Sequence, residues 1–140
     1  MKPRITVVTL GVTDLEKSLA FYRDGLGLPT DGIIGQEFEY GSVAFFTLQS
    51  GVMLALWPRT SLAHDSGLAL QPLSATGFSI GHNVNSSDEV DAVMEQARQA
   101  GATIVKPAGK TFYGGYAGYF QDLDGHLWDI VWNPQFPIAE

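Results

Sequence analysis

The chain opens with an alternation of apolar and polar residues that gives way to a helical pattern. Residues 5–12 alternate and are rich in β-branched side chains, which predicts a strand. Thr13 and Glu16 have the spacing of a capping box, in which Thr13 accepts a hydrogen bond from a helix-start N–H and Glu16 reaches back. A helix is therefore expected next, and its apolar face recurs with helical spacing at Leu15, Leu19 and Tyr22.

Short apolar runs separated by glycine and serine follow this helix. They predict three strands, near residues 33–40, 42–49 and 52–57. Residues 58–77 have weak periodicity and several prolines and glycines, so they are interpreted as a connection, either a linker or a lid, with room for a short helical turn. The first half is thus predicted to be a strand, a helix and three strands.

The same order of patterns returns after the connection. Residues 78–84 read as a strand, Ser86 and Glu89 repeat the capping-box spacing, and an apolar helical stripe follows at Val90, Val93, Met94 and Ala97. Three strand segments complete this half, at 103–105, 116–121 and 126–132, with a tight turn at 122–125.

The two halves can be aligned on their local motifs. Val12 aligns with Val84 at an offset of 72 residues, and Gly51 aligns with Gly125 at an offset of 74. A strand-end valine, a capping box, an apolar stripe and a stop glycine occur in the same order in both halves. We interpret the chain as an internal repeat of two similar units.

Composition narrows the class of protein. The chain has 140 residues, 45% of them hydrophobic, which suffices for a compact domain with a real core. It has no cysteine, which excludes disulfides and thiolate metal sites. Its 15 carboxylates against 8 Lys and Arg residues give a net charge of −7, which argues against a nucleic-acid partner. No segment reads as a membrane span or signal core, so a soluble cytoplasmic protein is expected.

Two segments resemble a known superfamily, the vicinal oxygen chelate proteins, which include glyoxalase I, bleomycin and fosfomycin resistance proteins and extradiol dioxygenases. Residues 10–28, with Phe21-Tyr22 and Leu26-Gly27, resemble its opening strand and helix, and residues 121–129 resemble its closing hairpin. The resemblance implies an α+β fold of two paired βαβββ modules, whose curled mixed sheets surround a shared cleft, often within a homodimer. The modules would be residues 1–57 and 78–140, joined by a linker at 58–77.

Four positions correspond to the metal ligands of metal-dependent superfamily members, in which the first and last strands of each module supply histidine, glutamine or glutamate. The residues at these positions are Val7, Ala55, Ser79 and Asp129. Only Asp129 is a good ligand, and one carboxylate without an imidazole does not hold a transition metal. A divalent metal is therefore disfavoured, and no cofactor is expected.

The three histidines do not alter this expectation. His64 lies in the connection. His82 is at odd spacing from Ser79, so alternation places it on the opposite face, packed near the helix or hydrogen-bonded to a neighbour. His126 follows the turn glycine and is interpreted as a solvated turn residue.

The expected cleft is mostly apolar with few polar points. Alternation along the strands gives six candidate ligand-binding residues: Thr9, Met53, Trp57, Ser79, Asn83 and Leu127. Tyr113 and Tyr116 lie in a segment rich in glycine and tyrosine, which either closes on a ligand or covers the edge of the core. Arg59 can meet an anionic ligand, although a solvated arginine is the simpler interpretation.

Asp129 is the candidate catalytic residue. An acid on an otherwise apolar strand must be hydrogen-bonded, protonated or functional. Burial would raise its pKa towards that of a general base. Two roles stay open: proton abstraction or recognition of a cationic or hydroxyl group, and a structural hydrogen bond to a tyrosine or a backbone N–H.

The leading functional hypothesis is a metal-independent glyoxalase- or bleomycin-resistance-like homodimer that binds a small hydrophobic or aromatic ligand in the cleft between the modules. The alternative is a lyase, isomerase or dioxygenase-like enzyme that uses Asp129 as a base or as a sole metal ligand. Whether the chain is an enzyme is left open, because one fold serves many functions.

Overall fold

The structure is a computed structural model that describes residues 1–140, without the side chain of Ser50. Its backbone forms two compact units, Met1–Pro72 and Leu73–Glu140. Each unit contains one four-stranded sheet and a helix that packs on it. The prediction of an α+β fold built from two similar modules is confirmed.

The first unit follows the predicted order of elements. Its elements are β1 (Val7–Val12), α1 (Leu15–Ala20) with a π-helical turn (Phe21–Gly25), β2 (Thr30–Ile34), β3 (Val43–Thr47), a 3-10 turn (Gln49–Gly51), β4 (Met53–Pro58) and α2 (Arg59–Ser66). The strand order is β1-β4-β3-β2. The outer strand β1 is parallel to β4, and the remaining pairs are antiparallel, so the sheet is mixed.

The second unit repeats this arrangement. Its elements are β5 (Ser79–Val84), α3 (Ser87–Ala100), β6 (Thr103–Lys110), β7 (Tyr116–Gln121) and β8 (Leu127–Trp132). The strand order is β5-β8-β7-β6, with β5 parallel to β8. No described helix is both long and apolar enough to cross a membrane.

The strand register repeats along with the order. In the first sheet Val7 is the partner of Met53, and in the second Ser79 is the partner of Leu127. These pairs are related by the offsets of 72 and 74 residues that the sequence motifs predict. The same offset of 74 relates the pair Phe45–Ala55 on β3 and β4 to the pair Tyr119–Asp129 on β7 and β8. Equivalent positions in the two sheets can therefore be compared residue by residue.

One helix in each unit, α1 in the first and α3 in the second, covers one face of the sheet. In the first unit Tyr22, which follows α1, contacts Phe46 of β3 with ring centroids 6.0 Å apart, and both are buried. In the second unit Val90, Met94 and Ala97 of α3 are buried, and the rings of Phe120 and Trp128 stack at 5.9 Å. We call the face opposite α1 in the first sheet, and opposite α3 in the second, the helix-distal face; in the first sheet α2 lies against the Gly11 end of this face.

The helix-distal faces are less buried than the helix-covered ones. Val7 and Thr9 of β1 are exposed, whereas Leu10 and Val12 are buried. On β5 the residues Ser79 and Gly81 are likewise exposed. This difference follows from the alternation of side chains along a strand.

The cap of α1 differs from the prediction. The N-cap is Asp14, whose carboxylate accepts a hydrogen bond from the Lys17 N–H at 3.1 Å, and not Thr13. Adjacent Thr and Asp are both favoured caps, and the ionised acid also interacts better with the helix dipole. The cap of α3 is as predicted, because Ser86 accepts from the Glu89 N–H at 3.1 Å. The Glu89 carboxylate reaches back to the N–H of Asn85 at 2.7 Å.

Two strands have different bounds from those predicted. β2 ends at Ile34, and the residues up to 40 form turns rather than a strand. Gly35 adopts a φ of 78° and Tyr40 a φ of 58°, left-handed conformations that interrupt a strand. β6 continues through Pro107 to Lys110, because it lies at the sheet edge and absorbs the proline in register shifts.

Candidate functional site

Asp129 lies on the helix-distal face of the second sheet, between two neighbours on adjacent strands. Gly81 of β5 is its partner on one side, and Tyr119 of β7 is its partner on the other. Gly118, next to Tyr119 on β7, shows which face of the sheet is covered by α3. A Cβ at Gly118 would lie 2.9 Å from the Met94 side chain of α3, so Gly118 faces the helix and Tyr119 faces away from it. Gly81, Asp129 and Tyr119 thus form a short row, which we call the Asp129 row.

The carboxylate of Asp129 is incompletely satisfied. Its Oδ1 atom is buried and has no hydrogen-bond partner among the described residues. Burial raises the pKa of Asp129, because desolvation disfavours the charged form. The negative charge of Asp129 in turn raises the pKa of Tyr119, and desolvation adds to that effect. A buried polar atom without a partner calls for an explanation, and a ligand is one.

The neighbour of Asp129 on β5 is a glycine and has no side chain. A Cβ at Gly81 would meet only Oδ1 of Asn83, at 3.8 Å. Gly81 itself is exposed. A ligand can therefore approach Asp129 over β5 without displacing a side chain at position 81.

The equivalent row of the first sheet is not acidic. Thr9, Ala55 and Phe45 occupy the positions of Gly81, Asp129 and Tyr119. Ala55 is 2% exposed and well packed. The same strand geometry therefore forms without a carboxylate or a phenolic hydroxyl, which means that the fold does not require either group.

The predicted ligand-binding residues of the second unit divide between its two faces. Ser79, Asn83 and Leu127 share the helix-distal face with Asp129, as their register shows. Tyr113, in the turn between β6 and β7, is close enough to Tyr119 to raise the pKa of that residue. Tyr116 lies apart, because its hydroxyl donates to Asp91 of α3 at 2.7 Å on the helix-covered side.

The predicted residues of the first unit lie on the helix-distal face of its own sheet. Thr9 is exposed, and Met53 and Trp57 are half-buried. Met53 lines a recess of about 380 Å³ beside β2, together with Thr47, Phe45 and Asp31. The indole N–H of Trp57 donates to the carbonyl of Tyr40 at 3.0 Å, and Tyr40 stacks on His64 at 3.9 Å. Trp57 is thereby held in one orientation by the turn before β3.

Comparison with known proteins agrees with this architecture. The profile of the Glyoxalase/Bleomycin resistance protein/Dioxygenase superfamily matches residues 4–130. The chain belongs to this superfamily.

Several superfamily relatives are similar over nearly the whole chain. A glyoxalase-related enzyme from Fulvimarina pelagi is 34% identical, with a TM-score of 0.82 over 98% of this chain and 93% of that one. A probable lactoylglutathione lyase of Vibrio parahaemolyticus serotype O3:K6 is 26% identical and covers 94% of this chain and 92% of its own length. A fosfomycin resistance protein from Listeria monocytogenes, 22% identical with a TM-score of 0.69 over 95% of each chain, shares the fold.

The metal that some superfamily members use does not fit the donor set of this member. Among the described residues, no group of three or more His, Cys, Asp or Glu side chains is placed to hold a metal ion. Asp129 has a glycine and a tyrosine as its cross-strand neighbours, and Ala55, its equivalent in the first sheet, has no donor atom. A single carboxylate with a phenol beside it is a poor site for a transition metal.

His126 is not the solvated turn residue that the sequence suggested. It is 3% exposed, and its Nδ1 lies 2.7 Å from Oδ2 of Asp122. Oδ1 of Asp122 also accepts from the backbone N–H groups of Asp124 and His126, at 3.0 and 2.8 Å. The pair closes the turn between β7 and β8, so its role is to fix the strand that carries Asp129.

His82 and Arg59 are two further candidate residues, and neither is a member of the Asp129 row. His82 is paired with Ile130, on the face opposite to Asp129. Its side chain is exposed, but desolvation by neighbouring atoms still lowers the pKa of its ring, and the charge of Glu89 opposes that shift. Arg59 is half-buried, and its guanidinium donates to the carbonyl of Gln71.

Tyr119 is the residue that the sequence analysis did not select. The turn at 122–125 fixes the hairpin so that Gln121 faces Leu127 and, two residues on, Tyr119 faces Asp129. Tracing that pairing outward from the turn glycine would have identified the phenol as the neighbour of the acid.

Proposed function

We propose that this superfamily member binds a small hydrophobic or aromatic ligand against the helix-distal face of the second sheet, without a metal ion. The observation that carries the proposal is the buried Oδ1 of Asp129, which has no partner among the described residues. Apolar side chains with a few polar groups are typical of small-molecule sites, and Leu127 and Val131 flank the acid on the same face. The repeat supports a functional role for Asp129. Ala55 occupies the equivalent position of the first sheet, so the strand pairing itself does not need an acid there.

The proposal is tested by a ligand screen on protein from which metals have been removed with a chelator. Aromatic compounds, thiol conjugates and glycopeptide antibiotics are added one at a time, and the midpoint of thermal unfolding is measured. We expect at least one ligand to raise the midpoint equally with and without added Zn²⁺, Ni²⁺ or Mn²⁺. We expect the variant Asp129→Ala to show a smaller rise with that ligand. A shift that requires a metal and stoichiometric retention of that metal would overturn metal independence.

A second candidate is an enzyme that uses Asp129 as a general base. Two observations favour it: Asp129 has a raised pKa, and the relatives from Fulvimarina pelagi and Vibrio parahaemolyticus are described as an enzyme and a probable lyase. A base works best when its pKa approaches the working pH. Exchange of a substrate carbon-bound proton with deuterated water, followed by NMR, tests this role, and Asp129→Asn should abolish the exchange.

We also propose that the chain forms a homodimer. Large apolar side chains are exposed in both units, among them Phe38 at 68% and the fully exposed Phe112. An interface between two copies of the chain would cover such side chains. Sedimentation equilibrium tests the proposal, and a mass of one chain, 15.1 kDa, across the concentration range would overturn it.

A further inference from the structure

The Asp129 row contains a hydrogen-bond acceptor and a hydrogen-bond donor side by side. Asp129 and Tyr119 are direct partners on neighbouring antiparallel strands, and such partners have Cβ atoms about 5 Å apart. Oδ1 of Asp129 nevertheless accepts no hydrogen bond from a described residue. The phenol therefore does not satisfy this oxygen, which is left for a third participant.

The phenol keeps its proton in this setting. The charge of Asp129 and desolvation both raise the pKa of Tyr119, so the hydroxyl remains a donor at neutral pH. An ionised carboxylate can only accept. The two side chains thus present opposite hydrogen-bonding functions at one place.

Neither function is needed to build the sheet. The pair Phe45–Ala55 forms the same cross-strand contact in the first unit with no polar atom. Tyr119 differs from Phe45 by one hydroxyl, and Asp129 differs from Ala55 by one carboxylate. The hydroxyl of Tyr119 and the carboxylate of Asp129 are therefore polar groups that the strand pairing does not need.

We propose that Tyr119 is a second ligand-contacting residue and that the ligand carries a group which donates to Asp129 and accepts from Tyr119, as a hydroxyl or an unsubstituted amide does. This inference rests on the proposed function, because it specifies the polar group of the ligand bound at that site. The ligand reaches the pair over Gly81, which carries no side chain of its own.

The test uses four simple probes that differ in this one property. Phenol and benzamide each contain a group that donates and accepts, whereas anisole only accepts and toluene does neither. Dissociation constants are measured by NMR titration on the full chain after treatment with a chelator. Phenol and benzamide should bind about tenfold more tightly than toluene, as expected for hydrogen bonds to a charged group, and anisole should gain little.

Variants locate the effect. Tyr119→Phe and Asp129→Ala reproduce the side chains found at Phe45 and Ala55, so both should fold. Each should reduce the preference for phenol over toluene to about twofold or less. Gly81→Val should weaken all four probes by filling the approach. Tyr116→Phe is the matched control, because it removes a tyrosine hydroxyl from the opposite face of the same strand and should leave the preference unchanged.

The outcomes separate the inference from the proposed function. If toluene binds as tightly as phenol and Gly81→Val weakens both, the apolar site stands and the inference is overturned. If the preference for phenol survives Tyr119→Phe, Tyr119 does not contact the ligand. If no probe binds while the thermal screen finds ligands of another class, the inference fails alone, and failure of both screens overturns both.

Discussion

At the scale of single residues, two carboxylates on neighbouring segments have opposite environments. Asp122 is buried and accepts three hydrogen bonds, two from backbone N–H groups and one shared with His126. Asp129 has a buried oxygen with no partner among the described residues. One acid is therefore part of the architecture, and the other carries a cost that the architecture does not offset.

Asp129→Asn should stabilise the protein at neutral pH. The pKa of Asp129 is raised in the folded state, so the folded protein binds this proton more tightly than the unfolded chain does, and stability falls as the pH rises through that interval. The amide variant has no such titration. Urea unfolding should show the variant more stable by up to about 1 kcal/mol at pH 7, after allowance for partial exposure, with the gap closing towards pH 4. A gap that is constant with pH would contradict the assigned cause.

Asp122→Ala should have the opposite effect and a larger one. It leaves two backbone N–H groups and the buried His126 ring without their acceptor. The expected loss is about 3 kcal/mol in the free energy of unfolding. Asp122→Asn, which keeps one acceptor oxygen, should lose less, and equal losses for both variants would show that the backbone contacts contribute little.

At the scale of secondary-structure elements, the start of α3 is the best-defined helix boundary. Ser86 caps the first turn, Glu89 reaches back to Asn85, and Gly101 ends the helix with a φ of 104°. Asn85 also bonds to the backbone N–H and carbonyl of Ile138, at 3.0 and 2.9 Å. The helix start is thus tied to the tail of the chain.

Ser86→Ala should destabilise the second unit through the loss of this cap. The Glu89 N–H would lose its side-chain acceptor, with an expected cost of about 1 kcal/mol in chemical denaturation. Ser87→Ala is the control, since Ser87 is the first helical residue and does not supply the cap. A similar loss in both variants would mean that the effect is not due to capping.

The sequence predicted most of these elements because their signals are local. Strand alternation, cap residues and stop glycines recur in both halves, and the strand registers repeat at the predicted offsets. The errors arose where several local choices compete. Thr13 and Asp14 are both capping residues, and the left-handed Gly35 and Tyr40 end β2 earlier than its apolar pattern suggests.

The site was only partly predictable for a related reason. The sequence alone makes Asp129 a candidate, because an acid interrupts an apolar strand, and this feature is visible in one segment. Tyr119 can be identified only when the pairing of β7 with β8 is known. His126 is buried beside Asp122, its hydrogen-bond partner across the same turn. Both features arise from contacts between residues on different segments, which a local sequence pattern does not show.

At the scale of the whole molecule, the chain is two units joined by an exposed segment. Residues 67–78 form neither helix nor strand, and all of them are exposed. Within the first unit the start of this segment is held by the hydrogen bond from Arg59 to Gln71. Few other described interactions anchor it.

Limited proteolysis with chymotrypsin should therefore begin in residues 67–78, where Leu68, Leu70 and Leu73 are exposed. Mass spectrometry of the first products should give two fragments that divide there. Trypsin is a matched control, because the sequence contains no Lys or Arg from residue 60 to residue 97. A first chymotryptic cut at Phe112 would instead show that the turn between β6 and β7 opens more readily than the connecting segment.

The difference between the Asp129 row and the equivalent residues of the first sheet also determines how many ligands one chain should bind. A chain with two equivalent sheets has two equivalent places for a ligand, yet only the second row carries the acid and the phenol, while Ala55 and Phe45 stand in the first. A calorimetric titration should therefore saturate at one ligand per chain. Introducing Thr9→Gly, Phe45→Tyr and Ala55→Asp together would place the same pair of polar groups beside the same glycine in the first sheet, and the molecule would then have the elements of a second site that its own repeat lacks.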